Sequence, residues 1–285
     1  MPSPVEYERR IVVFLDFLGF KDLIERSVTD PSHRRRIARA FETVRRFTMP
    51  DEGGPVRQVA QFSDCVVVSY EAAQYSAVFD LLLTILLLQV ELVSQGFLVR
   101  GGVTVGDLLH RPGMVFGPAL VEAHRLESRE AIQPRILIDP ALVDVARAYP
   151  VRHHDGEDEV RYVENFLTQD HEGGYYFIDY ITWRAVVEIA GADSEDWPTF
   201  MRALAKILAH GLKSEDRRVL EKMLWLHCKY TAAIDEFFHP VRTADVIARF
   251  QDYYDALREL PHLHEEATAA IAMVQTTASS PSNST

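Results

Sequence analysis

Ile11-Val-Val-Phe-Leu-Asp16-Phe-Leu-Gly-Phe20 is the stretch whose reading decides the fold. Ile11 to Leu15 are β-branched, aromatic or leucine without a polar break, which is the texture of a buried strand. Asp16 closes the run. Gly19 then permits a tight passage from strand to helix, and a helical pattern follows through Ile24. A carboxylate at the end of a buried strand is costly unless something pairs with it or neutralises it.

A second acid stands in a similar place. Gln58-Val-Ala-Gln-Phe62 and Cys65-Val-Val-Val-Ser-Tyr70 read as a strand pair with Ser63-Asp64 at the bend. Two carboxylates converging in one cleft usually hold shared metal. Spacing alone leaves the alternative open, in which the two acids sit at separate wet strand ends.

Outward from these acids, Pro31-Ser32 opens a helix over about 33–47. It carries Arg34, Arg35, Arg36, Arg39, Arg45 and Arg46, read as a solvated face. Asp51 to Pro55 is a turn. A mostly apolar helix spans about 72–95 and ends at Gly96, as at a C-cap. Phe97 to Val105 is a strand, with a turn at Gly106-Asp107. Met114 to Pro118 leads into a helix through Leu126, Arg135 to Ile138 is a strand, and Pro140 begins a helix. Strands alternate with helices and hairpins intervene, so the fold class is α/β (α+β), a mixed sheet flanked by helices. Val151 to Asp170 reads as charged loop, Tyr175 to Tyr180 as strand, Asp196 to Leu260 as helical, and Thr276 to Thr285 as a disordered polar tail.

Composition narrows the partners. The 285 residues are 47% hydrophobic and carry a formal charge of −12, which disfavours nucleic acid. A polyanionic ligand would need local help, which a bound divalent cation supplies. Cys65 and Cys228 make neither a disulfide framework nor a metal knuckle. His153-His154 and His171-Glu172 lack zinc-site spacing. The polar start, Met1 to Arg10, does not read as a signal peptide, and Leu81 to Leu88 is too short to cross a bilayer, so a soluble cytoplasmic protein is expected.

Four blocks in order carry a family resemblance. Phe14-Leu-Asp16-Phe-Leu-Gly-Phe20 resembles the metal-binding strand and loop of class III adenylate and guanylate cyclases. Gln61-Phe-Ser-Asp64 resembles their second metal hairpin. Val99-Arg-Gly-Gly-Val-Thr-Val-Gly106 looks like their R-x-G-x-x-x-G strand. Phe116-Gly-Pro-Ala-Leu-Val-Glu-Ala-His-Arg-Leu-Glu127 looks like their W-G-x-x-V-N-x-A-x-R-L-E helix, with Arg135 to Ile138 as the strand that follows. The resemblance implies a ferredoxin-like catalytic core at 8–148 with a mostly antiparallel sheet, a mainly helical extension packed on it at 149–275, and the tail at 276–285. It implies two divalent cations, Mn²⁺ or Mg²⁺, on Asp16, Asp64 and the Phe17 backbone carbonyl. It further implies a nucleotide site involving Phe14, Leu18, Gly19, Phe20, Ala60, Pro118 and Arg100, and a catalytic Arg125 reaching across a homodimer interface.

The sequence departs from that family at the base-reading positions. Ala60 stands where the adenine-selecting lysine falls, Pro118 where the adenine-selecting aspartate falls, and Val121 replaces the family's asparagine. A pocket without those polar groups should reject adenine. The wording F-L-D-x-L-G-F and F-G-P-A-L is similar to that of the bacterial pyrimidine cyclases of the Pycsar antiphage system. That likeness implies conversion of UTP to cyclic UMP, sensed by a separate effector protein. Cyclic CMP from CTP, or a degenerate cyclase fold that only binds nucleotide or dimerises, stays open. Arg100 reads as a phosphate or interface arginine, or else as a structural ion pair. Lys222, Trp225 and Tyr230 are expected to pack the C-terminal helices.

Overall fold

The computed structural model describes residues 6–49, 56–170, 173–191, 196–239 and 244–278. The turn read at 51–55, the pair His171-Glu172 and the tail beyond Ala278 lie outside them. The chain divides into two compact units, Met1–Tyr180 and Ile181–Thr285.

The first unit runs β1 (Glu8–Phe17), α1 (Phe20–Thr29), α2 (Pro31–Thr48), β2 (Arg57–Phe62), β3 (Cys65–Glu71), α3 (Ala77–Ser94), β4 (Val99–Arg111), β5 (Met114–Phe116), α4 (Pro118–Arg125), a π-helical turn (Leu126–Glu130), β6 (Ile136–Ile138), α5 (Ala141–Ala148), α6 (Gly156–Glu164), β7 (Leu167–Gln169) and β8 (Tyr176–Ile178). The sheet order is β2-β3-β1-β4-β6-β8-β7, with β5 hairpinned onto β4. In β2-β3-β1-β4 each neighbouring pair is antiparallel. With their helical connections they form the β-α-β-β-α-β arrangement of a ferredoxin-like core. β6 joins β4 in parallel, and β8 and β7 continue antiparallel.

β1 is central and buried on both faces, as its unbroken apolar run requires. By the period-two rule Ile11, Val13, Leu15 and Phe17 share one face. On that side the Phe17 ring meets Phe20, Phe41 and Phe97 at centroid distances of 6.1, 5.4 and 5.7 Å. Val12, Phe14 and Asp16 take the other face, where Val12 packs with Val67, Leu108, Ala119 and Ala123 beneath α4.

The glycines of β4 explain how α4 comes so close. Gly102 pairs with Phe14 in the sheet. A side chain there would strike the Ala123 carbonyl and the Leu126 Cβ. The helix therefore rests on bare backbone, and the turn after it lies against the strand.

Helix α3 is long and apolar enough to cross a membrane by length and composition, with mean hydropathy 2.0, but 56% of that window is buried inside the protein. It ends as the sequence predicts, at Gly96 with φ 84°. The arginines of α2 are more than a solvated face. Arg34 donates to the Ser27 carbonyl at 2.6 Å, beside the end of α1, and Arg36 reaches the Gln95 and Gly96 carbonyls beyond α3. Cations at helix C-termini suit the exposed carbonyls there.

Three expectations change. Gly106-Asp107 is not a turn, because Gly106 and Asp107 pair with Arg10 and Arg9 and β4 runs on to Arg111. The reversal falls at Gly113, φ 78°. The segment 151–170 is not all loop. Asp155 caps α6 by accepting from the Asp158 amide at 2.8 Å, and Glu157, Asp158 and Glu159 suit the positive helix start. The sheet also continues past residue 148, since β8 pairs with β6, so the first unit closes at Tyr180.

The second unit holds a π-helical turn (Arg184–Ile189) and α7 (Asp196–Gly211), α8 (Arg217–Phe238), α9 (Ala244–Arg249), α10 (Gln251–Arg258) and α11 (His264–Ala278). The tail residues 276–278 are thus the last of α11. Trp197 is fully buried, and its indole N–H donates to the Ile181 carbonyl at 2.9 Å. Tyr230 is buried in this unit, and its hydroxyl donates to the Pro261 carbonyl at 3.1 Å.

Candidate active site

Asp16 and Asp64 meet. Asp16, the penultimate residue of β1, lies directly beside Cys65, its partner in the β1–β3 register. Asp64 sits in the tight β2–β3 bend, which Ser63 closes with φ 55°. One ligand atom from each of Asp16, Asp64 and Cys65 lies within 4.8 Å of the others. The Cys65 thiol donates to Asp16 Oδ1 at 3.8 Å.

On the other side of Asp16 stands its β4 partner, Arg100. Arg100 Nε and Nη2 both donate to Asp16 Oδ2 at 3.3 Å. The same Nε is 2.6 Å from Glu127 Oε1. The Glu127 side chain is only 3% exposed, at the start of the π-helical turn that the bare Gly102 backbone allows to approach. Two carboxylates, Asp16 and Glu127, thus share one guanidinium, with Asp64 beyond Asp16.

The acids report that crowding. Burial raises the Asp16 carboxyl above its usual range, Arg100 opposes this, and the like charge of Asp64 adds to it. Burial likewise lifts Glu127 to about 7, against the pull of Arg100 and with Asp16 adding to the rise. Burial and then Asp16, Asp64 and Glu127 push the Cys65 thiol up to about 12. A site with this surplus of negative charge is short of cations, and its hard oxygen donors match Mg²⁺ or Mn²⁺. Asp16 and Asp64 fit a divalent ion; Cys65 adds a softer donor once deprotonated.

Other predicted positions fall in different surroundings. Phe14 is half-buried and packs edge-to-face on the His124 ring at 5.0 Å; Ala60 lies against the same apolar cluster. Pro118 is the exposed first residue of α4. The Phe20 ring is buried among Phe17 and Phe41. The Leu18 amide is not available to a phosphate, because it donates to the Leu98 carbonyl at 2.9 Å and so extends the ladder by one bond. That leaves the start of α1 at Gly19 and Phe20, where no side chain caps the helix. The metal reading of Phe17 concerns its backbone, since the ring belongs to the core.

Arg125 is closely held within its own chain. Nε and Nη2 donate to the two Glu122 oxygens at 2.8 Å each, Nη1 to Glu130 at 2.7 Å, and Nη2 also to the Tyr175 hydroxyl at 2.9 Å. These hydrogen bonds raise its basicity further.

Sequence reasoning missed Cys65, Glu127, Glu130 and Tyr175. One signal was legible: Glu127 follows Ala119 and Ala123 at helical spacing, on the stripe that faces the sheet. A glutamate there is buried and needs a partner.

No family model matches the sequence, and no curated protein matches it. Among solved structures the chain is similar to a bacterial light-regulated adenylyl cyclase, with TM-score 0.42 and 15% identity over 61% of this chain and 92% of that one. It is similar to the adenylyl cyclase CyaB from P. aeruginosa, with TM-score 0.38 and 14% identity over 61% and 95%. A third similar structure is the catalytic core of a rhodopsin-guanylyl cyclase with converted specificity in complex with ATPalphaS, with TM-score 0.37 and 16% identity over 61% and 96%.

Proposed function

We propose that this chain is a nucleotidyl cyclase that converts a nucleoside triphosphate to its 3′,5′-cyclic monophosphate and pyrophosphate. The observation that carries the reading is the convergence of Asp16, Asp64 and Cys65 within 4.8 Å, where the sequence words place a metal pair. Asp16, Asp64 and the Phe17 carbonyl would hold two divalent cations, Mn²⁺ or Mg²⁺. Such ions supply activation of the ribose 3′-hydroxyl and neutralise phosphate charge. The open start of α1 at Gly19 and Phe20 would receive the terminal phosphates, with Arg100 beside them. Arg125 of a second copy would offer its planar fork to the charge that builds on the α-phosphate. The exposed apolar side chains of Phe62, Phe116 and Val121 support a homodimer.

The substrate we propose is a pyrimidine triphosphate, UTP before CTP. Neither Ala60 nor Pro118 can donate or accept a side-chain hydrogen bond, so the family's purine-reading pair is missing. Likeness to the Pycsar cyclases extends the reading to a cytoplasmic antiphage second messenger acting on a separate effector.

A degenerate fold that binds nucleotide without turnover is the second reading. The close holding of Arg125 by Glu122, Glu130 and Tyr175 favours it.

The two readings separate on incubation of the purified chain with each of the four ribonucleoside triphosphates and Mn²⁺, with products resolved by chromatography. Cyclic UMP and pyrophosphate are expected, and Asp16→Ala and Asp64→Ala should form neither. Cyclisation of ATP or GTP ahead of UTP and CTP would overturn the pyrimidine assignment; no product from any triphosphate would leave the binding reading.

A further inference from the structure

We propose that Arg100 is a built-in counter-ion that occupies Asp16 until a divalent cation arrives, and that Glu127 is the positioning residue that takes the guanidinium over. The inference rests on the metal reading of Asp16 and Asp64. It concerns how that site is kept before loading.

Three observations carry it. Arg100 reaches Asp16 Oδ2 through two nitrogens, each at 3.3 Å, so it covers an oxygen that a metal would use. Its Nε is already nearer to Glu127, at 2.6 Å. Glu127 is almost wholly buried, on a turn pressed against β4 by the bare backbone of Gly102. Arg100, by contrast, keeps a side chain that is 23% exposed and has room to swing. One acid is therefore fixed and closed to solvent, the other lies at the cleft, and a single arginine contacts both.

The electrostatics require such an arrangement. Asp16, Asp64 and Glu127 together would leave the empty cleft with three carboxylates and no cation. Arg100 offsets that repulsion. A divalent ion on Asp16 competes with the guanidinium for the same lone pairs and repels it. The arginine then needs a partner close by, because a half-buried guanidinium without one is costly. Glu127 is that partner, and it is reached by releasing one hydrogen-bonded edge without moving the backbone. Glu127 acts through Arg100 and touches no metal.

Mn²⁺ binding to the full chain without nucleotide, followed by the electron paramagnetic resonance signal of free Mn²⁺, tests this. Arg100→Gln removes the competitor and should tighten Mn²⁺ binding about tenfold. Glu127→Gln strands the guanidinium on Asp16 and should weaken binding about three- to tenfold. In the double variant Arg100→Gln/Glu127→Gln the Glu127 effect should vanish, leaving the affinity of Arg100→Gln. Arg100→Lys keeps the charge without the fork and should fall between wild type and Arg100→Gln; it serves where the glutamine variant does not fold. If Arg100→Gln and Arg100→Lys leave Mn²⁺ affinity unchanged or weaken it, the counter-ion role is wrong. A Glu127 effect that persists in the double variant would make Glu127 a ligand and also overturn the proposal. Mn²⁺ binding that Asp64→Asn does not reduce would overturn the metal reading itself, and the counter-ion with it.

Discussion

Arg125 and Glu130 lie five positions apart in sequence and 2.7 Å apart in space. An α-helix stacks residues three or four apart. Here the turn Leu126–Glu130 is π-helical, closed by the Ala131 amide on the Leu126 carbonyl at 2.8 Å. The wider turn brings the fifth residue over Arg125, and such turns recur at functional sites.

On the cyclase reading, Arg125 meets substrate charge only by exchanging part of its hold on Glu122, Glu130 and Tyr175. Arg125→Ala should then lower kcat by about 100-fold or more, with KM changed far less, as for loss of a group that acts on transition-state charge. Arg125→Lys should not restore the rate, because a point charge cannot reproduce the planar fork. Steady-state kinetics with Mn²⁺ and UTP measure both. An equal fall in kcat/KM through KM alone would place Arg125 in ground-state binding.

Asp16 gives the second prediction. Its carboxyl is raised by burial first, with Arg100 opposing and Asp64 adding to the rise. An acid whose folded pKa lies above its unfolded one contributes stability when protonated, at low pH, and loses it as pH rises through the folded value. At neutral pH the ionised group is thus a burden on the metal-free fold. Asp16→Asn should abolish turnover yet raise Tm in chelator at pH 7.5. The gain should shrink as pH falls towards the carboxylate range. Melting curves of both proteins across pH decide it, and a lower Tm for the variant at pH 7.5 would sink the argument.

How much of this was legible beforehand depends on the range of the forces involved. β1, the β2–β3 pair and α3 follow from apolar runs and turn residues, which are local signals; the meeting of Asp16 with Asp64 was implied only by the family resemblance, since spacing alone left separate strand ends open. The continuation of β4 through Gly106-Asp107 was hidden because two turn-forming residues sit in mid-strand; only pairing with Arg9 and Arg10 holds them extended. α6 was hidden by its charge, since its buried stripe is short, Glu159, Val160 and Val163. The Leu18 amide read as free because its partner, Leu98, lies just before β4, about eighty residues away. Tyr175 could not be tied to Arg125 by any spacing; the contact exists because β8 extends the sheet beyond β6.

The third prediction concerns the two thiols. Cys65 is half-buried, and burial together with Asp16, Asp64 and Glu127 pushes it up to about 12. Thiolate is the reactive form, so at pH 8 only about one molecule in 10⁴ is reactive there. Cys228 is exposed. Titration of the native chain with a chromogenic disulfide should show one thiol reacting promptly and a second slower by about 100-fold or more. Cys228→Ser should remove the fast phase, and Cys65→Ser the slow one. Two equally fast phases would mean that the acids do not surround Cys65 as described.

The last prediction comes from the far end of the same sheet face, where Arg10, Ser69 and His110 form a buried chain. Arg10 Nε donates to Ser69 Oγ at 2.9 Å, and Ser69 Oγ is 2.8 Å from His110 Nδ1. Arg10 can only donate, so the hydroxyl accepts from it and passes its own proton to His110. That chain needs a neutral imidazole. Burial first, and the Arg10 charge second, lower His110 to about 4, while Glu8 pairs with Arg10 at 2.8 Å on its exposed side. A histidine whose folded pKa is depressed binds its proton more readily when unfolded, so stability is full above about 6.5 and is lost as pH falls towards 4. Across that window the loss is roughly 2–3 kcal/mol. His110→Gln keeps an acceptor for Ser69 and cannot titrate. Urea unfolding at pH 7.5 and pH 5 should therefore show wild type losing more stability than the variant on acidification. An equal loss in both proteins would show that His110 carries none of the acid sensitivity, and that the Ser69 contact tolerates its charged form.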